Sequence, residues 1–167
     1  GLKSAIAATT AALGSFAFAA SRALNAATQI RRLSNTAGVG IEKFQRFAFV
    51  MRQTGSDSET AAELLKELQN RLVEFAQEGT GPASDVLKNV GISRQQVREA
   101  QGNIDEMIQI AVTGFQRLET EAQRTRFLEE LLGGQAGERA REAFERLAQQ
   151  GIRPLLNEAE RLNLVLG

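Results

Sequence analysis

The side chains best equipped for chemistry are carboxylates standing close together: Asp105 and Glu106, Glu119 and Glu121, Glu129 and Glu130. Two carboxyls cleave a glycoside when they oppose each other across a cleft and one of them sits in apolar surroundings. Neighbours on one helix diverge instead, and most turn to water. The chain has no histidine and no cysteine. Their absence removes the usual nucleophile–base pairs, the common zinc ligands and all disulfides. No calcium-loop spacing of carboxylates occurs either. Gly79-Thr80-Gly81-Pro82 lacks the lysine, the following Ser/Thr and the preceding strand of a phosphate-binding loop. The chain is therefore read as a non-enzyme with no catalytic residue, no metal ligand and no cofactor.

What remains is charge and packing. The 167 residues carry twenty basic and twenty acidic side chains, unevenly spread. Residues 1–56 hold seven basic residues against one acid, Glu42, and the remainder carries the opposite excess. Such asymmetry marks either a surface that meets an anion or two regions that attract each other or a neighbouring copy. The basic residues are scattered, which favours the second. Arg22, Arg31 and Arg32 are the only candidates for a nucleic-acid face, and they lie in a helix that also has to pack, so no specific nucleic-acid site is expected. Sixteen arginines against four lysines favour planar, multi-donor contacts at interfaces.

The elements that position these groups are helices. Alanine, leucine, glutamate, glutamine and arginine dominate, and no strand-length run alternates with period two. Residues 4–21 carry no charge. They read as a helix packed closely through small residues (Ala8, Ala12, Ser15, Ala19, Ala23), as a membrane-active segment, or as a secretory signal. Helices are predicted over 22–37, 41–54, 57–78, 83–90, from Ser93, from Asn103 to Leu118, over 120–132 and 138–150, and from Pro154. Gly38 and Gly55 suit the left-handed residue that closes a helix. Ser56 with Glu59, and Ser93 with Gln96, have capping-box spacing. Ile41, Phe44, Phe47, Ala48 and Met51 form a core stripe that Phe49 and Val50 widen. Glu42–Arg46 and Glu67–Arg71 have ion-pair spacing on their helices. In the longest helix Ala61, Leu65, Leu68, Leu72 and Phe75 alternate steps of four and three. That is the spacing of a coiled-coil seam, and these five residues are expected to join copies of the chain.

The ordered pattern AGVGIEKFQRF, TG, ETAAELLKELQNRL, GTG and DVLKNVGIS resembles the helical module of tail length tape measure proteins of long-tailed bacteriophages and related tail-like particles. The resemblance runs from about Ala27 to Asn157 and includes the EELLGGQAGERA stretch. There the family has a Phe-Gly-x-x-Gly turn, and this chain has Leu132 in place of the phenylalanine. It implies a structural virion component in the tail tube lumen or tail tip, setting tail length by its own extent and assisting DNA delivery. It implies as partners the tail tube and tail tip proteins and further copies of the chain in a parallel homo-oligomer such as a trimer. It also implies a transient contact of residues 4–21 with the host membrane.

The fold expected is all-α, short to medium helices joined by glycine turns in a bundle or coiled-coil-like assembly. Three regions are expected: residues 1–32, apolar and basic; 33–157, the helical module; and 158–167, the end of the last helix. The chain starts at Gly1 and not at methionine, which fits a piece of a longer or processed chain. The competing functional class is a soluble all-α protein-binding or scaffold module with no tail role, whose grooves take another protein's helix.

Overall fold

The computed structural model describes residues 24–133, together with Glu142, Ala143, Glu145, Arg146, Ala148, Gln149, Pro154, Asn157 and Arg161. Two compact units divide the chain, Gly1–Arg32 and Leu33–Gly167. The described part of the first, residues 24–32, is helical. The fold is all-α, with no strand among the described residues. Its helices are α1 (residues 24–37), α2 (Ile41–Gln53), α3 (Ser58–Glu78), α4 (Ser84–Asn89), α5 (Arg94–Ala100), α6 (Ile104–Gln116) and α7 (Glu121–Leu132). The predicted breaks near residues 38–40, 55–57, 79–81, 91–93 and 101–103 all fall between these helices. Of the predicted helix over 138–150, the residues described are helical, as are Pro154, Asn157 and Arg161 further on. The rest of residues 134–167, including the break at 151–153, and the apolar segment 4–21 lie outside the described residues.

Local chemistry sets the boundaries. Ser93 accepts from the Gln96 amide, and the Gln96 side chain accepts in return from the Ser93 amide, so α5 starts with a reciprocal box. Thr120 and Gln123 form the same box at the head of α7. Asn103 caps α6. At α3 the expected box with Ser56 is displaced by one residue. Asp57 is the cap, accepting from the Thr60 amide at 2.7 Å. A carboxylate there also answers the positive end of the helix dipole. Ser56 turns inward instead, 3% exposed, and its hydroxyl has no protein partner. At the other end of α3, Gly79 takes φ +70°, so its amide can close the helix on the Phe75 carbonyl.

In the second unit α3 is the axle. It packs against α2, α5, α6 and α7, while α4 leans on α7 and α6 bridges α5 and α7. The core comprises the α2 stripe from Phe44 to Met51, the apolar face of α3, and Leu87, Val97, Ile108, Phe115, Phe127, Leu128 and Leu131. Where α6 crosses α7 the fit is close. A Cβ on Gly114 would lie 2.7 Å from Cζ of Phe127 and 3.0 Å from Cδ1 of Ile92.

The last carbonyls of a helix have no partner within it. Here side chains from other elements supply one, and arginine predominates. Gln69 donates to the Ala37 carbonyl at the end of α1. Arg146 donates to Gln53 at the end of α2. The end of α3 takes most: Arg94 and Arg98 both donate through Nε to Ala76, and Arg94 Nη2 donates to Gln77. Ser84 and Lys88 donate to Gly79 just beyond it. Arg117 reaches Val90 after α4, and Arg71 reaches Glu130 in the last turn of α7. Cations at these ends also offset the negative pole of the dipole. Five arginines, Arg71, Arg94, Arg98, Arg117 and Arg146, thus join their own elements to another helix's end.

Candidate functional site

The five residues expected to form a seam between copies are all interior. Ala61, Leu65, Leu68, Leu72 and Phe75 are at most 1% exposed, and the helices packed around α3 belong to the same chain. That expectation is corrected on physical grounds. A four–three spacing defines an apolar face of a helix but not whose helix covers it. Here α2, α5, α6 and α7 do so, and the flanking Leu64 and Ala76 are buried as well. Reaching this face from another copy would require opening the core.

One surface depression lies between α2, α5 and α6. It is a groove of about 710 Å³, walled by Lys43 and Arg46 on one side and Asp105 and Glu106 on the other. Gln96, Gln109, Thr113 and Arg117 line the remainder, with Ile92 and Ile110 beneath and Asn157 at the border. Asp105 lies 3.5 Å from Lys43 Nζ and 3.8 Å from an Arg46 Nη. These distances describe loose, solvent-screened ion pairs. Of the two predicted helical pairs, Glu67–Arg71 forms at 3.5 Å. Arg46 instead turns at least partly toward α6. A second hollow, about 340 Å³, lies between α4 and α7 beside Val86, Leu118 and Phe127.

The carboxylate neighbours do not converge. Asp105 faces the α2 cations, Glu119 and Glu121 are exposed, and Glu129 is exposed beside a half-buried Glu130. Among the described residues no group of three or more His, Cys, Asp or Glu is placed to hold a metal ion. Also among them, no helix is long and apolar enough to cross a membrane. Arg31 and Arg32 are exposed on α1, and Arg22 lies outside the described residues. The groove went unread in the sequence because its lining comes from three helices and has no spacing of its own. No family model, no curated protein and no solved structure matches this chain.

Proposed function

We propose that the chain is a structural, non-catalytic segment of a tail tape measure protein, acting in the tail tube lumen or at the tail tip. Within it, residues 33–132 serve as a folded unit and not as extended ruler. The observation that carries this reading is the conformation of the motif glycines. Gly38, Gly55, Gly79, Gly81 and Gly91 take positive φ between helices, as does Gly133 in the later stretch, while Gly40 of the same pattern is extended and caps α2. A motif made of turns and apolar positions has no other content to satisfy. The apolar positions between those turns face the common core.

The folded state changes what the segment contributes to length. As one continuous helix, 100 residues would span about 150 Å. Folded, a unit of that size has a radius of gyration of about 13 Å. In-frame deletion of residues 33–132 from the parent gene tests both halves of the proposal. The expected particles have tails shortened by no more than a few tens of ångströms, with assembly or DNA delivery impaired. A loss near 150 Å would mean the segment measures by extension. Tails of normal length with full infectivity and normal particle number would overturn the tail role. The groove beside Asp105 favours the second reading, a scaffold module that binds another protein, which is what a silent deletion would leave.

A further inference from the structure

The hollow between α4 and α7 differs from the groove beside Asp105 in how its polar groups are used. In the groove they are largely occupied within the chain. Lys43 and Arg46 lie against Asp105, the Gln96 side chain belongs to its capping box, and Arg117 donates to the Val90 carbonyl. At the hollow, Asp85 and Asn89 on α4 and Arg126 on α7 are exposed. Among the described residues their side chains make no hydrogen bond or ion pair. Arg126 is the exception among its neighbours, since Arg94, Arg98, Arg117 and Arg124 all donate to backbone carbonyls. Between these walls the floor is apolar and fixed. Val86 is half-buried, Leu118 is buried, and the Phe127 ring is wedged against Gly114 of α6, where even one added Cβ would not fit. A volume of about 340 Å³ is at the small end of ligand pockets, room for one large apolar side chain.

We propose that this hollow seats one large apolar side chain of another protein, on a segment that carries a basic residue toward Asp85 and an acidic residue toward Arg126. Charge complementarity selects that occupant. The two walls offer one acid and one base, each free to answer a charge of the other sign. A polyanion, whether nucleic acid or lipid surface, would bring like charge against Asp85. A free small molecule would have only exposed, screened charges to hold it above a small floor. A protein segment adds contact around the hollow, and an apolar anchor ringed by polar groups is how such sites are built. There the rim charges choose the partner and its direction more than they add affinity. The inference stands apart from the tail reading, which names partners but no surface for them. Its test uses the purified chain, whereas the tail role is tested on particles.

Selection from a library of random peptides on the full chain tests it. The peptides expected to emerge share a large apolar residue with a basic residue on one side and an acidic residue on the other. Arg126→Glu should weaken a selected peptide about three- to tenfold, the span for reversing one exposed charge. Replacing the peptide's acidic residue by lysine should then restore binding. Asp85→Lys should weaken it likewise, with an acidic replacement of the peptide's basic residue as the cure. Both positions are exposed, so the cooperative melt should survive, and if one substitution unfolds the chain the other decides. The proposal is overturned if no peptide is selected, if the selected peptides lack the two charges, or if they bind both variants unchanged. It is also overturned if the compensating changes fail to restore binding. Peptides weakened instead by Asp105→Lys would overturn it and assign binding to the groove between α2, α5 and α6.

Discussion

Arg94 on α5 donates through Nη2 to the backbone carbonyl of Gln77, 2.6 Å away, and through Nε to that of Ala76. One planar guanidinium thus closes two carbonyls at the end of a helix it does not belong to. Arg94→Ala is expected to cost about 1–2 kcal/mol, the range for hydrogen bonds from a partly exposed charged donor. Arg94→Lys keeps the charge but not the two-donor plane, so it should recover less than half of that loss. Urea unfolding of the three proteins decides the matter. A lysine variant as stable as the parent would show that charge alone is enough.

Gly114 sits where α6 meets the ring of Phe127. The added methyl of Gly114→Ala would lie 2.7 Å from Cζ, too close to coexist without movement. Overpacking of this kind costs about 1–3 kcal/mol. Phe127→Leu in the same chain should relieve part of it, because the two changes act on one contact. Purely additive losses in a double-mutant cycle would mean the methyl is accommodated elsewhere.

Leu68 lies at the middle of α3 and is 1% exposed. Leu68→Glu buries a charge with no partner at the point where the helices converge. The penalty is several kcal/mol, a large part of the stability of a domain this size. The expected result is loss of helicity and of the cooperative melt, read by circular dichroism. A folded variant that had merely changed its mass would restore α3 as an intermolecular seam.

Helix boundaries were legible because caps are local. Ser93 with Gln96, Asn103, and the glycines at residues 38, 55 and 79 act on amides and carbonyls a few residues away. Even there, Ser56 and Asp57 are adjacent candidates, and only tertiary burial of Ser56 decides between them. What covers each apolar face was not legible. Ala61 to Phe75 presents the same periodicity to a neighbouring copy as to α2, α5, α6 and α7. Nor were the arginines' partners. Arg71 and Glu130, or Arg146 and Gln53, are far apart in the chain, and a backbone carbonyl has no side-chain signature.

The guanidinium groups at the end of α3 also fix the chain's register. Inserting one residue between Leu68 and Phe75 would turn the rest of α3 by about 100° around the helix axis, while packing on α6 holds α5 in place. The carbonyls of Ala76 and Gln77 would swing away from Arg94 and Arg98, and Phe75 would leave the core. A chain of this kind can change its length by evolution only outside such a helix. Insertions and deletions should therefore gather before Leu33 or in the turns, while α3 keeps its number of residues and exchanges only their identities.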